Sequence, residues 1–277
     1  QQIDITNENL TIDIGTTISV ATARSLSETT EGTVTGTITS GTTVAAMLDE
    51  NTGLTGTEAY SITIAESDAT GISANDLIEI DNITSEKIDA TAVTEVTGLS
   101  SEIEILYGLS GFDGLGDENI IITDQLDIDQ ANIINDLTSG KVTALIKSAV
   151  DPSTLIDLNG SNNYTYVLEG GSSISVSRLN EISDTISISV DASAITSLKG
   201  TFDEFDSLYK STTITGISNI DLEIIDDLTV GEANIIDGLT EGTVSGTISS
   251  TERVSSLTGL TGNNAYQITI SEEDATT

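Results

Sequence analysis

The chain repeats itself, and that self-similarity limits the folds open to it more than any other feature. Residues 11–32, 119–140 and 221–242 align without a gap. Ile12, Ile120 and Leu222 share one position, Ala23, Ala131 and Ala233 another, and Leu26, Ile134 and Ile236 a third. Each segment closes on Thr-x-Gly, at Thr30, Thr138 and Thr240. Over the last two copies the offset is constant at 102 residues, from Val142 to Val244, Tyr164 to Tyr266 and Tyr107 to Tyr209. Within this super-repeat the sub-units are roughly 22–33 residues long, the range of solenoid repeats.

Each sub-unit opens with alternation, as in Ile120 and Ile122 or Val244, Gly246 and Ile248, which marks a half-buried strand. It then changes to helical spacing, with Ala131, Ile134 and Leu137 three apart, and likewise Ala233, Ile236 and Leu239, and Leu77, Ile80 and Ile83. Asp129 and Ser73 are the expected N-caps, and Gly140 and Gly242 the expected C-caps. Helices of two or three turns are unstable alone and need stacked neighbours. The expected fold is therefore a β-rich α/β solenoid, with one short parallel strand and one short helix or helical turn per coil. Tandem β-sandwich domains are the alternative, but they would lack the intervening 3-spaced pattern. Residues 1–277 are expected to form one continuous solenoid of about 2.7 super-repeats, with approximate units 1–59, 60–163, 164–265 and 266–277. Both ends fall within a repeat, at Gln1 and Thr277, with residues 3–14 and 266–270 as the terminal surfaces. Head-to-tail self-association, or continuation into a longer chain, is the expectation.

Composition narrows function. There is no His and no Cys, so no Ser-His-Asp triad, thiol nucleophile, thiolate zinc site or disulfide can form. Forty-five Asp and Glu against eight Lys and Arg give a formal charge of -37, which argues against nucleic acid as a partner. No apolar run reaches the roughly 18 residues of a membrane span, so membrane insertion is not expected. A charge this large raises the question of disorder. However, 37% of the residues are hydrophobic and there is one Pro, so the chain reads as ordered.

Acidic loops are the chemical candidates. Asp113, Asp117 and Glu118 lie with Asn119 in a Gly-rich turn, and oxygen ligands on a turn suit Ca²⁺. The spacing is neither an EF-hand nor the GGxGxD nonapeptide, and the equivalent residues 211–219 carry no carboxylate. Asp124, Asp127 and Asp129, and Asp226 with Asp227, form further clusters, which also read as a solvated outer face. Paired carboxylates for glycoside hydrolysis arise by chance in so acidic a chain, and there is no Trp to hold a sugar, so no catalysis is expected. Asn9, Asn82 and Asn163 open N-x-Thr triplets, which a Thr-rich chain also produces by chance. Tyr60, Tyr164 and Tyr266 mark one structural position, expected at an edge with the hydroxyl in solvent. Phe202 and Phe205 are the one aromatic pair that could serve a binding face.

Residues 93–146 carry a pattern of Gly114-Leu115-Gly116-Asp117-Glu118, then a strand, then Ala131, Ile134, Leu137, Thr138, Gly140, Val142 and Ala144. This resembles the repeat tracts of giant cell-surface proteins of marine cyanobacteria, of the swimming-motility and surface-layer type, and of related marine phage structural proteins. The resemblance covers most of the chain in degraded form and implies an extracellular scaffold with no catalytic residue. Two functions are therefore expected: an extracellular structural repeat protein, or an adhesin or phage-fibre module that grips glycan or a surface partner.

Overall fold

The computed structural model describes residues 10–56, 58–147, 152–168 and 174–269. Its residues fall into two compact units, 1–145 with 159–163, and 146–158 with 164–277. Of the terminal surfaces expected at 3–14 and 266–270, residues 3–9 and 270 lie outside the described residues.

The first unit alternates strands with helices: β1 (Ile12–Ile18), α1 (Val20–Ser27), β2 (Val34–Ile38), α2 (Val44–Met47), β3 (Ala59–Thr63), β4 (Ile72–Ser73), α3 (Ala74–Asp81), β5 (Ile88–Asp89), β6 (Glu95–Gly98), α4 (Ser100–Gly108), β7 (Phe112–Asp113), β8 (Asn119–Leu126), α5 (Ile128–Asn135) and β9 (Val142–Ile146). Strands pair in the orders β1-β2-β3-β5-β7 and β4-β6-β8-β9. The second unit runs β10 (Asn163–Val167), β11 (Ile174–Ser175), α6 (Val176–Thr185), β12 (Ser189–Asp191), β13 (Ser197–Gly200), α7 (Phe202–Lys210), β14 (Ile214–Thr215), β15 (Asp221–Leu228), α8 (Val230–Asp237), β16 (Val244–Ile248) and β17 (Ala265–Ile268). Its orders are β10-β12-β14 and β11-β13-β15-β16-β17.

The recorded pairings among the described residues are parallel, with Ile88 opposite Phe112, Glu95 opposite Asn119, Val190 opposite Ile214 and Ser197 opposite Asp221. Tandem sandwiches would pair antiparallel, so that alternative fails. One strand per repeat also needs correction, because β5 and β6 both stand between α3 and α4, and β12 and β13 between α6 and α7. Strands of two or three residues are too short to show alternation, so their period leaves no trace in the sequence.

The inward positions stack along each ladder. Ile72, Val96, Ile120 and Val142 are buried in the first unit, and Leu198, Leu222 and Val244 in the second. The helices close over them with Leu77, Ile80, Ile103, Leu106, Ala131 and Ile134, and with Phe205, Leu208, Ala233 and Ile236. Each fully buried Leu or Ile contributes about 1.5–3 kcal/mol, which offsets the nucleation cost of such short helices.

Local caps set where the helices begin. Ser73 caps α3 as expected, accepting from the Asp76 N–H at 3.4 Å. Asp127, not Asp129, caps α5: it accepts from the Gln130 N–H at 2.9 Å, and Gln130 Oε1 accepts from the Asp127 N–H at 3.3 Å. Asp129 already lies in the first turn. Gly140 and Gly242 are not C-caps, since α5 and α8 end at Asn135 and Asp237. They serve instead where one repeat crosses the backbone of the previous one. A Cβ on Gly140 would stand 2.2 Å from the Glu118 carbonyl oxygen, and one on Gly242 would stand 2.5 Å from that of Ile220.

Candidate functional site

The acidic turn between β7 and β8 is held by internal bonds. Asp113 is exposed and pairs with Lys87 Nζ at 2.6 Å. Asp117 is exposed. Glu118 is only 2% exposed, and its Oε2 accepts from the Gly116 and Asp117 N–H groups at 2.8 and 3.1 Å. Its Oε1 and the Tyr107 hydroxyl are buried without a hydrogen-bond partner among the described residues. Asn119 Oδ1 accepts from the Lys141 N–H at 3.0 Å. No set of three acidic side chains among the described residues comes together in a way that could hold a metal ion.

One carboxylate of each of the other acidic clusters, Asp124 and Asp226, caps the helix of a neighbouring repeat. Helix α4 has Leu99 at its N-cap and so no polar side chain of its own there. Asp124 of β8 supplies it, accepting from the Ser100 N–H at 2.7 Å and the Ser100 hydroxyl at 2.8 Å. Asp226, 102 residues later, accepts from the Phe202 N–H at 3.0 Å, and Asp68 accepts from the Val44 N–H at 2.7 Å. The register of β15 against β16 shifts between Glu223 and Asp227, and this bulge carries Asp226. Carboxylates at helix N-termini meet unpaired N–H groups and the positive end of the dipole. Asp129 and Asp227 are exposed.

A second set of polar bonds recurs ahead of the tyrosines. Glu58 Oε2 accepts from the Val34 N–H at 2.6 Å, while Glu58 Oε1 accepts from Ser27 Oγ at 2.6 Å. Asn162 accepts from the Val142 N–H at 2.8 Å and donates to Asn135 Oδ1 at 2.8 Å. Asn264 accepts from the Val244 N–H at 2.9 Å and donates to Asp237 Oδ1 at 2.6 Å. Each clamp ties a strand start to a helix end. Sequence reasoning missed them, although the signal was present: a polar residue stands two before each repeated Tyr.

The hydroxyls of Tyr60 and Tyr266 are not left to solvent, and of the two residues Tyr266, on β17, lies on an edge strand among the described residues. Tyr60 is fully buried and donates to the Ala23 carbonyl at 3.3 Å, and Tyr266 donates to that of Ala233 at 3.2 Å. Burial, with the Glu58 charge adding to it, pushes the Tyr60 hydroxyl up to about 12. Phe202 and Phe205 do not form an exposed platform, because Phe205 is fully buried and Phe202 half-buried. Thr84 of the Asn82 triplet is buried and donates to the Tyr60 carbonyl at 2.6 Å, so this triplet has a structural role. Asn163 donates to Thr143 Oγ1 at 3.4 Å, and Asn9 lies outside the described residues.

One polar groove opens beside α3. Asp81, Thr84, Ser85, Glu86, Lys87, Leu109, Ser110 and Gly111 line a space of about 420 Å³. Burial raises the Asp81 carboxyl above its ordinary range. Among the described residues, no helix is long and apolar enough to cross a membrane. No protein-family model matches the chain, and neither the curated proteins nor the solved structures contain a match.

Proposed function

We propose that this chain is an extracellular structural repeat protein, a scaffold or filament building block without catalysis, whose repeats stack as a solenoid within each unit. The observation that carries the reading is the use of the carboxylates. Asp68, Asp124 and Asp226 each accept a backbone N–H from a helix 24 residues earlier, so these acidic groups join successive repeats. A further support is the parallel ladder, in which Ile72 faces Val96 and Glu95 faces Asn119 at the same 24-residue step. The charge of -37 suits a protein that stays dispersed in a saline medium outside the cell.

Assembly would proceed by self-association or by continuation into further repeats. Within the second unit, β17 is an edge among the described residues and exposes Ile268, a surface open to further parallel pairing. Electron microscopy and sedimentation of the full chain in high salt test the reading. Filaments, sheets or concentration-dependent association are expected. A strictly monomeric protein at high concentration would overturn the assembly claim, and turnover of any substrate would overturn the non-catalytic one.

A further inference from the structure

Repeat proteins use each position for the same purpose, so a site where one copy departs from the other is where a separate role can enter. The residue pairs Asp81 and Ser183, Leu109 and Ser211, and Gly111 and Thr213 are each 102 residues apart. In the second unit the three side chains form a closed hydroxyl cluster. Ser183 Oγ lies 2.7 Å from both Ser211 Oγ and Thr213 Oγ1, and these two are 2.8 Å apart. In the first unit none of these hydroxyls exists. Asp81 takes the space instead, over a glycine: a Cβ on Gly111 would stand 1.6 Å from Asp81 Oδ1, so a side chain at 111 would have to turn the carboxylate aside.

The carboxylate is half-buried, open in part to solvent, and makes no bond within the protein. No hydrogen bond or ion pair from the described residues reaches it, and Lys87, the cation lining the groove, is paired with Asp113 at 2.6 Å. Glu86 adds a second negative charge, and Ser85 and Ser110 add hydroxyls. Burial alone raises the Asp81 carboxyl, which is what an unpaired, partly desolvated acid shows.

From this geometry we infer that the Asp81 groove binds a primary ammonium group. A space of about 420 Å³ admits an organic cation. An ammonium carries three donors, which match a carboxylate and the neighbouring oxygens. A bare metal ion would need more charged ligands than converge here. This goes beyond a scaffold role, because it gives the first unit a recognition point that the second lacks. The ammonium can belong to a small amine or to a lysine side chain.

The test is a titration of the ¹⁵N-labelled full chain, followed at the amides of Glu86, Ser110 and Gly111. The probes are methylammonium, tetramethylammonium and sodium chlorides at matched ionic strength. Saturable shifts with methylammonium alone are expected, weakened about tenfold or more in Asp81→Asn, about the loss of one charged hydrogen-bond partner. The swap Asp81→Ser with Leu109→Ser and Gly111→Thr should rebuild the hydroxyl cluster and abolish the response. If the swap does not fold, Asp81→Asn alone decides. Nα-acetyl-lysine amide binding tenfold tighter than methylammonium would assign the source to a lysine side chain, and equal binding would assign it to a small amine. Equal shifts with all three salts, or a response retained in Asp81→Asn, would overturn the proposal.

Discussion

Gly140→Ala tests the contact on which the stacking of repeats depends. The added Cβ would meet the Glu118 carbonyl oxygen at 2.2 Å, its carbon at 2.5 Å and the Asp117 carbonyl oxygen at 2.9 Å. All three are backbone atoms, so no side chain can turn aside. Normal contact requires the crossing to open by roughly 1 Å, an overpacking that costs about 1–3 kcal/mol. The same opening stretches the bonds that seat the crossing. Thr138 Oγ1 donates to the Glu118 carbonyl at 2.6 Å and accepts from the Gly140 N–H at 2.9 Å, and the Ser139 N–H donates to the Gly116 carbonyl at 2.8 Å. Each lost bond adds about 1 kcal/mol, so the expected destabilisation is about 3–5 kcal/mol. Gly231→Ala is the control. It lies in α8 with only Thr229 Oγ1 nearby, at 3.8 Å, so it should stabilise by about 0.5–1 kcal/mol through helix propensity. Denaturation followed by circular dichroism, with amide exchange at Ile120 and Val142, reads both variants. A Gly140→Ala protein within about 0.5 kcal/mol of the parent would show that the crossing tolerates a side chain.

Ile134→Asp and Ile236→Asp each place a charge at a fully buried position and should destabilise by about 4 kcal/mol or more, measured by chemical denaturation. Asp124→Ala removes the acceptor of the Ser100 N–H at the α4 N-terminus, where Glu102 still accepts from the Leu99 N–H, and should lower stability by about 1–2 kcal/mol, with faster amide exchange at Ser100. Melting temperature should rise with NaCl, because a charge of -37 repels itself and salt screens it. CaCl₂ at matched ionic strength should add nothing further, and a calcium-specific gain would show that the Asp113, Asp117 and Glu118 turn rearranges around the ion. Hydrogen bonds from Thr52 and Asn51 hold the Asp49 carboxyl below its ordinary range, and bonds from Thr91 do the same for Asp89. Their stabilisation is present above the unfolded value and is lost as pH falls through the lowered folded values. Asp81 runs the other way: burial raises its folded value, so its penalty is present above that value and disappears below the unfolded one. Carboxyl NMR titration should place Asp49 and Asp89 below Asp81.

The apolar periodicities located the helices well, because Ala131 and Ile134, or Ala233 and Ile236, are three apart for a physical reason: that face meets the ladder. Alternation located β8 and β15 for the same reason, since Ile120 and Ile122, or Leu222 and Ile224, point inward. Strands β5, β7 and β14 were illegible. Two residues carry no period, and their pairing is defined only by what lies 24 residues away. Thr-x-Gly was visible as a motif, but its meaning was not. It reads locally as a helix stop, whereas Thr138 and Thr240 bond to carbonyls of Glu118 and Ile220, one repeat earlier. The capping role of the acidic clusters was hidden for the same reason. Adjacent carboxylates in sequence suggest convergence on an ion, yet Asp124 and Asp127 cap different helices, α4 and α5.

That division of labour explains how so acidic a chain can fold at all. A repeat whose helices are no more than ten residues long exposes its first N–H groups many times over, and each needs an acceptor. A local cap such as Thr201 or Thr229 satisfies one N–H per helix. A carboxylate from the next repeat satisfies another and links the two repeats as it does so. Asp124 and Asp226 therefore add stability only when the following repeat is folded, which makes helix formation cooperative along the stack. The same logic sets apart Asp81, which lies at the C-terminal end of α3 rather than at an N-terminus. There the helix dipole disfavours a carboxylate, and no N–H waits for it. A negative charge kept in that position, where the second copy has a neutral hydroxyl cluster, adds nothing to the cohesion of the stack and is the charge that the proposed ammonium would neutralise.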